Sequence, residues 1–189
     1  METVRLDSLL EDKSLQEELI KSIQKGAVFI YPTDTIYGIG CDASNPEAVR
    51  HIRGLKGSEH PFSVVASSKE WINRHLVVKG HGRQEYVDKL PGPYTLIFEK
   101  KDKDFLREAA PGGSLGVRIP DHPLTWILQK TGLPIVTTSA NVSGSPFLVE
   151  PEDIKDYFDV DFFIDAGRLP GNPSKVVDLT GHEPRIIRP

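Results

Sequence analysis

Apolar residues near the start of the chain recur at the spacing of an α-helix. Leu15, Leu19 and Ile23 lie four residues apart and therefore share one face of a helix. Asp12 or Ser14 precedes this run, and either side chain is a good cap for the first backbone N–H groups. The pattern predicts an amphipathic helix that packs its apolar face on the rest of the protein.

Further along the chain, short apolar runs bounded by Pro and Gly predict strands, and helical periodicity returns between them. Strands are predicted at residues 27–31, 62–66, 94–99, 115–119, 134–138, 162–165 and 175–179. Helices are predicted at residues 68–76, 83–90 and 122–130, and another begins at Asn45-Pro46. No internal repeat or low-complexity linker divides the chain. We therefore expect a single domain over residues 1–189, of the α+β (mixed α/β) type, with helices packed on a mixed sheet.

Composition narrows the class of protein. The 189 residues are 38% hydrophobic and 26% charged, which suits one domain with a sizeable core. Cys41 is the only cysteine, so a disulfide scaffold and a cysteine metal cluster are excluded. The acidic N-terminus lacks the plan of a secretory signal, and no apolar run approaches the ~18 residues of a membrane helix. We expect a cytoplasmic protein with no membrane partner.

The net charge of the chain argues against a protein whose whole surface is basic. The formal net charge is −4, which disfavours non-specific binding to nucleic acid. Basic residues nevertheless gather in the middle of the chain, and they allow either a local basic groove or an ordinary solvated surface. They are Arg50, Lys56, Arg74, Lys79, Arg83, Lys89, Lys100, Lys101, Lys103, Arg107 and Arg118.

Polar loops follow several of the predicted strands. They are PTDTIYG (32–38), PGPYT (91–95), GVRIPDHP (116–123) and TTSAN (137–141). Loops at strand ends carry polar groups on a rigid frame, so together these four segments can bind a small polar ligand. For Ser139 and Asn141 an alternative stays open, because Ser and Asn also cap turns through their own backbone.

The sequence gives little support for a dinucleotide site, a phosphate-binding loop, a metal site or a nucleophilic serine. GIGCDA (38–43) matches the glycine pattern of a dinucleotide-binding loop, but the helix signal begins only at Asn45-Pro46, so the match is interpreted as accidental. A phosphate-binding loop ending in Gly-Lys-Ser/Thr is absent. The six His residues show no metal-ligand spacing, so no metal site is predicted. Ser143 lacks the glycine-flanked context of a nucleophile.

Six segments in order resemble the YrdC-type threonylcarbamoyl-AMP synthases. They are YPTDTIYGIGCDA, LKGSEHPFSVV, PGPYTLIF, GVRIPDHP, PIVTTSANVSG and GNPSKVVDLTGHEPRIIRP. The resemblance covers the chain from about Ala27 to Pro189. It implies a twisted mixed sheet with a concave, positively charged cleft, and a chain of the short, single-domain type.

The resemblance also implies a reaction. L-threonine, bicarbonate and ATP would give threonylcarbamoyl-AMP and pyrophosphate, with Mg²⁺ accompanying ATP. A downstream threonylcarbamoyl transferase would then use the product to modify position 37 of tRNA.

Site residues follow from the same resemblance. Thr35, Arg118, Ser139 and Ser174 match residues that bind threonine, and the planar fork of Arg118 suits a carboxylate. Lys56, Ser114, Asn141 and Arg188 match nucleotide contacts. Lys56, Arg118 and Ser139 form the expected catalytic set. The competing interpretation of Arg118 and Arg188 is a surface salt bridge.

One departure keeps other functions open. The family usually has Lys-x-Arg where this chain has Lys56-Gly57-Ser58, so a charged nucleotide contact is missing, and Arg53 or His60 are the candidates to replace it. The alternatives are a paralogue that makes a carbamoyl-adenylate on another substrate, and a module that binds double-stranded RNA or tRNA without synthase activity. An enzyme should need Lys56, Arg118 and Ser139 together, whereas a binder should lose affinity steeply with salt.

Overall fold

The computed structural model describes residues 1–80, 82–154 and 159–189. Within these ranges ten strands form one sheet: β1 (Glu2–Arg5), β2 (Phe29–Tyr31), β3 (Gly38–Gly40), β4 (Ser63–Val65), β5 (Tyr94–Glu99), β6 (Ser114–Arg118), β7 (Ile135–Ser139), β8 (Phe162–Asp165), β9 (Lys175–Asp178) and β10 (Arg185–Arg188). The helices are α1 (Leu6–Glu11), α2 (Lys13–Gln24), α3 (Pro46–Lys56), α4 (Lys69–His75), α5 (Arg83–Asp88) and α6 (Pro123–Gln129). A 3₁₀ turn spans Pro151–Asp153.

The strand order is β1-β8-β2-β3-β7-β4-β6-β5-β9-β10. Parallel pairs join β8 to β1 and β2, β4 to β6, and β5 to β9. Antiparallel pairs join β2 to β3, β3 to β7, β4 to β7, β5 to β6, and β9 to β10. The predicted mixed sheet with flanking helices is confirmed.

Two hydrophobic clusters cover the two faces of this sheet. Phe29 and Tyr31 belong to one cluster and Ile30 to the other, as alternation along β2 requires. The first cluster includes buried residues of α1, α2 and α6, and the second includes those of α3 and α4. Helices therefore protect both faces, and the polar loops emerge at the strand ends.

The helix α3 ends at a residue of the predicted site. Asn45 caps its start, since Oδ1 accepts hydrogen bonds from the backbone N–H groups of Glu47 and Ala48 at 3.0 and 3.2 Å. Gly57 ends the helix in the left-handed conformation, with φ of 59°. These signals fix the last helical residue, Lys56.

The GIG stretch forms strand β3 rather than the start of a helix. A side chain at Gly40 would lie 2.7 Å from the carbonyl oxygen of Val136 and 2.8 Å from the ring of Tyr31. Gly40 therefore allows β3 to pack closely on its neighbours. The glycines serve the packing of the sheet, in line with the interpretation of the motif match as accidental.

Four elements escaped the sequence prediction: β1, α1, β3 and β10. The strands β1 and β10 lie at the two edges of the sheet and are largely exposed, so they carry no alternating pattern. The helix α1 spans only six residues. Among the described residues no helix is long and apolar enough to cross a bilayer.

Candidate functional site

A cavity of about 230 Å³ opens on the sheet where the polar loops converge. Its volume is below the ~300–1,000 Å³ of pockets for drug-sized ligands, so it suits a single small molecule. Ile36, Phe62, Ile97, Phe147 and Val176 supply apolar surface. The polar lining includes Thr33, Thr95, Arg118, Ser139, Ser174 and Arg188.

Arg118, the last residue of β6, lies at the base of the cavity and is only 6% exposed. Its Nη2 donates to Oδ1 of Asp34 at 2.5 Å and to Oγ1 of Thr35 at 3.3 Å. The other carboxylate oxygen of Asp34 accepts the backbone N–H of Asp121 at 3.1 Å. Burial lowers the pKa of Arg118, and the charge of Asp34 opposes that shift. The guanidinium is therefore paired with a carboxylate and fixed in direction.

Two nitrogen atoms of Arg118, Nε and Nη1, form no hydrogen bond with the described residues. Its Nε is buried and has no hydrogen-bond partner within the described residues. A buried donor without an acceptor costs about 1–3 kcal/mol. Since Nε is closed to solvent, a ligand in the cavity would meet the guanidinium at Nη1. The geometry suits the carboxylate of a small ligand.

The PTDT turn brings three side chains to this point. Oγ1 of Thr33 donates to the carbonyl of Ile36 at 2.8 Å and accepts the backbone N–H of Thr35 at 3.1 Å. The two threonine hydroxyls lie 2.8 Å apart. This network holds Thr35 beside Arg118, while Thr33 lines the cavity itself.

A second arginine reaches the cavity from β10. Nε of Arg188 donates to the carbonyl oxygen of Ser174 at 2.8 Å, and its Nη2 donates to Oγ of the same serine at 3.2 Å. Burial lowers the pKa of Arg188, and the charge of Arg118 lowers it further. The cavity thus places two guanidinium groups within electrostatic reach of each other, an arrangement that attracts anions.

Lys56 holds the loop that follows β7. Its Nζ donates to the carbonyl oxygens of Ser139 and Asn141 at 2.7 and 2.9 Å. The residue is 6% exposed, and burial lowers the pKa of Lys56 to about 8. Lys56 therefore points at this loop, and its third N–H has only weaker contacts, with Oδ1 of Asn141 at 3.4 Å and Oγ of Ser139 at 3.5 Å.

Ser139 and Asn141 differ in where they point. The strand β7 ends at Ser139, and the backbone N–H of Asn141 turns back to the carbonyl of Ser139 at 2.9 Å. Ser139 lines the cavity, whereas Nδ2 of Asn141 donates to the carbonyl of Ser145 at 2.5 Å. Oδ1 of Asn141 accepts from the hydroxyl of Ser139 at 2.5 Å. The two side chains thus contact each other, and of the two only Ser139 lines the cavity.

Ser114 lies apart from the other predicted residues. It begins β6 and pairs with Glu99, four residues before Arg118 on the same face of the strand. The rise of an extended strand places it roughly 13 Å from Arg118. Ser114 could therefore meet only a ligand that extends well beyond the cavity.

Arg53 is not a free substitute for the family arginine that Ser58 replaces. Its guanidinium donates to the carbonyl oxygens of His60, Glu108 and Ala109 at 2.9, 2.8 and 3.1 Å. It also lies 4.5 Å from the ring centre of Phe62. These contacts join α3 to two loops. Because its guanidinium is engaged there, Arg53 does not replace the positive charge of the family arginine in this structure.

Sequence reasoning missed several polar residues of the site, two of which have partners far away in the chain. Asp34 and Thr95 both lie within motifs that were singled out, PTDT and PGPYT, yet neither received a role. Asp34 pairs with Arg118, and the hydroxyl of Thr95 lies 2.8 Å from that of Ser174. Their positions in polar loops were the available signal, but their partners are 84 and 79 residues away in the chain.

Comparison with known proteins assigns the chain to a family. A family model named Sua5/YciO/YrdC, described as telomere recombination, matches residues 21–189. A putative threonylcarbamoyl-AMP synthase of Methanocaldococcus jannaschii is 35% identical over 175 residues, which covers 89% of this chain and 82% of that protein. The chain belongs to the Sua5/YciO/YrdC family, and the resemblance seen in its sequence is confirmed.

Solved structures agree with this assignment. The structure of P. abyssi Sua5 complexed with L-threonine has a TM-score of 0.85 and 25% identity, and it covers the whole of this chain. This chain spans 56% of that Sua5 chain. Escherichia coli YciO has a TM-score of 0.82 and 28% identity, covering 94% of this chain and 89% of that one. The predicted fold class is confirmed, and the ligand contacts of individual residues stay predictions.

Proposed function

We propose that this protein is an L-threonylcarbamoyladenylate synthase, a nucleotidyltransferase that forms threonylcarbamoyl-AMP and pyrophosphate from L-threonine, bicarbonate and ATP. One observation carries the proposal: two arginines and several hydroxyl groups surround a cavity small enough for a single amino acid. Relatives named threonylcarbamoyl-AMP synthase, and a Sua5 structure that holds L-threonine, support it.

The reaction makes modest demands on side-chain chemistry. The amine of threonine captures CO₂ with loss of a proton, or bicarbonate with loss of water, and the resulting carbamate is anionic and nucleophilic. A carbamate oxygen then attacks the α-phosphate of ATP, and pyrophosphate leaves. The protein has to orient two anions and offset their repulsion, which fixed cations and hydroxyl donors accomplish without a nucleophilic side chain.

Each predicted residue receives a role in this proposal. Arg118 binds the threonine carboxylate through Nη1, which no described residue engages, while Asp34 and Thr35 hold Nη2. Thr35, Ser139 and Ser174 offer hydroxyl groups to threonine or its carbamate. The nucleotide contacts are proposed for Lys56, Ser114, Asn141 and Arg188.

Mg²⁺ is proposed to arrive with ATP. Groups of three or more His, Cys, Asp or Glu side chains that could hold a metal are not found among the described residues. Mg²⁺ commonly binds through substrate phosphates, water and only one or two carboxylates, so the residues present fit a metal carried by the nucleotide. The ion would neutralise charge on the phosphates.

Product analysis tests the proposal. The protein is incubated with ATP, Mg²⁺, labelled bicarbonate and L-threonine, and the products are identified by mass spectrometry. Labelled threonylcarbamoyl-AMP and an equal amount of pyrophosphate are expected, and omission of either threonine or bicarbonate should abolish both. Pyrophosphate release that ignores threonine would contradict the proposal.

A second candidate follows from Ser58. Because Ser58 replaces a charged residue and Arg53 is engaged elsewhere, the nucleotide site differs from the usual family pattern. A paralogue that makes a carbamoyl-adenylate on another acceptor would be consistent with that difference. In the same assay it would release pyrophosphate with bicarbonate and an acceptor other than threonine.

The macromolecular partners are proposals as well. A synthase of this kind would pass its product to a threonylcarbamoyl transferase acting on tRNA, and tRNA or double-stranded RNA could bind the protein directly. A pure RNA-binding module would keep its affinity when Ser139 is replaced but lose it steeply as salt rises. The cytoplasm is the proposed location of this chemistry.

A further inference from the structure

Three side chains on one side of the cavity form a chain of hydrogen bonds. Oγ1 of Thr95 lies 2.8 Å from Oγ of Ser174, and Nη2 of Arg188 lies 3.2 Å from the same serine oxygen. Thr95 is 7% exposed and Ser174 is 3% exposed, yet both line the cavity. The chain therefore faces the ligand at a point largely shielded from bulk water.

The direction of these hydrogen bonds follows from counting protons. A serine hydroxyl has one proton to donate and two lone pairs that accept. The guanidinium of Arg188 can only donate, so one lone pair of Ser174 accepts from Nη2. If Ser174 is to donate its single proton to an anionic ligand, the contact with Thr95 must run from Thr95 to Ser174. Ser174 then has both lone pairs and its proton engaged.

We propose that Thr95 is a positioning residue for the threonine site and acts through Ser174. Its hydroxyl donates to Ser174 and leaves the serine proton free for a carboxylate or carbamate oxygen. Two donors on the serine oxygen also polarise its O–H bond, which strengthens the hydrogen bond to the anion. This inference rests on the proposed function, since it takes threonine as the ligand.

Substitution at position 95 separates the hydroxyl from the shape of the side chain. Thr95→Val keeps the branched shape and removes the hydroxyl, Thr95→Ser keeps the hydroxyl, and Thr95→Ala removes it without a steric risk. We expect Thr95→Val and Thr95→Ala to weaken L-threonine binding in calorimetry by about three- to tenfold, and Thr95→Ser to stay near wild type.

Thr131 supplies a matched control. It is also a buried threonine, and its hydroxyl donates to the carbonyl of Leu128 at 2.7 Å, away from the cavity. Thr131→Val should lower the melting temperature and leave threonine affinity unchanged. Equal threonine affinity in wild type, Thr95→Val and Thr95→Ala would overturn the proposal.

A double-mutant cycle with Ser174→Ala tests whether Thr95 affects threonine binding through Ser174. If Thr95 acts through Ser174, Thr95→Val should have little further effect on threonine affinity once the serine hydroxyl is absent. The same loss of affinity in both backgrounds would show that Thr95 acts independently, and would overturn the inference. A wild-type protein that binds no L-threonine would overturn the proposed function itself, and this inference with it.

Discussion

Two arginines face the same cavity but are held in different ways. Arg118 is almost fully buried and forms an ion pair with Asp34 at 2.5 Å. Arg188 is more accessible and is held by two oxygen atoms of Ser174, both uncharged. Within the described part of the chain, no carboxylate forms an ion pair with Arg188.

The difference shows how one cavity can hold two positive charges. A buried charge without a partner costs several kcal/mol, so the deeper arginine needs the counter-charge of Asp34. The shallower one keeps part of its hydration and needs only neutral acceptors. Arg118 is therefore suited to orient one small carboxylate, and Arg188 leaves an uncompensated charge for a more highly charged group.

The largest expected effect comes from removing the counter-charge. Asp34→Asn keeps the size of the side chain but leaves the guanidinium of Arg118 without a charged partner. The free energy of unfolding, measured by urea denaturation, should fall by about 3–5 kcal/mol.

Asp178→Asn is the matched control for this variant. Asp178 also accepts from a backbone N–H, that of Thr180, and from an arginine Nη2, that of Arg185, but Arg185 is 75% exposed. The control should cost at most about 1 kcal/mol through its surface ion pair. Equal losses in the two variants would show that burial does not distinguish the pair at Arg118.

Lys56 is a third cation to compare with the two arginines. Unlike an arginine, a buried lysine can lose its proton near neutral pH. Burial lowers the pKa of Lys56 from 10.5 to about 8. The unfolded chain then holds the proton more tightly, so stability should rise with pH between about 8 and 10.5. The difference in unfolding free energy between wild type and Lys56→Met should shift in favour of wild type by about 1–3 kcal/mol across that window. A difference that is independent of pH would mean that Lys56 keeps an ordinary pKa.

A smaller effect separates Ser139 from Asn141. Asn141→Ala removes the hydrogen bond to the carbonyl of Ser145 and should lower the free energy of unfolding by about 1–2 kcal/mol. Ser139→Ala removes a hydroxyl from the cavity and should weaken threonine binding by about five- to thirtyfold. Thermal melting and calorimetry on both variants check this division. The reverse pattern would place Asn141 in the threonine site and give Ser139 the structural role in the loop.

Much of the fold could be predicted because its central strands are buried. Runs such as residues 133–136 are apolar throughout, and turn residues mark the ends of several strands. The edge strands gave no such signal, since Ile186 and Ile187 of β10 are 62% and 53% exposed. The strand β3 was not predicted because glycine has a low strand propensity. Gly38 and Gly40 occur there because neighbouring residues pack too closely to leave room for a side chain.

Residues of the site were predicted from the sequence only where they lie in a recognised motif. Arg118, Ser139, Ser174 and Arg188 all line one cavity, and their ligand contacts stay predictions. The partner of each side chain could not be inferred, because an ion pair across 84 residues depends on how the strands pair. The turn after Ser139 is likewise set by Lys56, which approaches from another element.

Arg118 is proposed to bind threonine and Arg188 to bind nucleotide phosphate, and cross-titration tests this division most directly. Wild type, Arg118→Lys and Arg188→Lys are each titrated in a calorimeter with L-threonine and with a non-hydrolysable ATP analogue. Arg118→Lys should weaken threonine binding about ten- to a hundredfold and change nucleotide binding little, because lysine keeps the charge but lacks the planar fork. Arg188→Lys should weaken chiefly the nucleotide. If both variants lose the same ligand, or if Arg118→Lys binds threonine as wild type does, the division of roles between the two arginines is wrong.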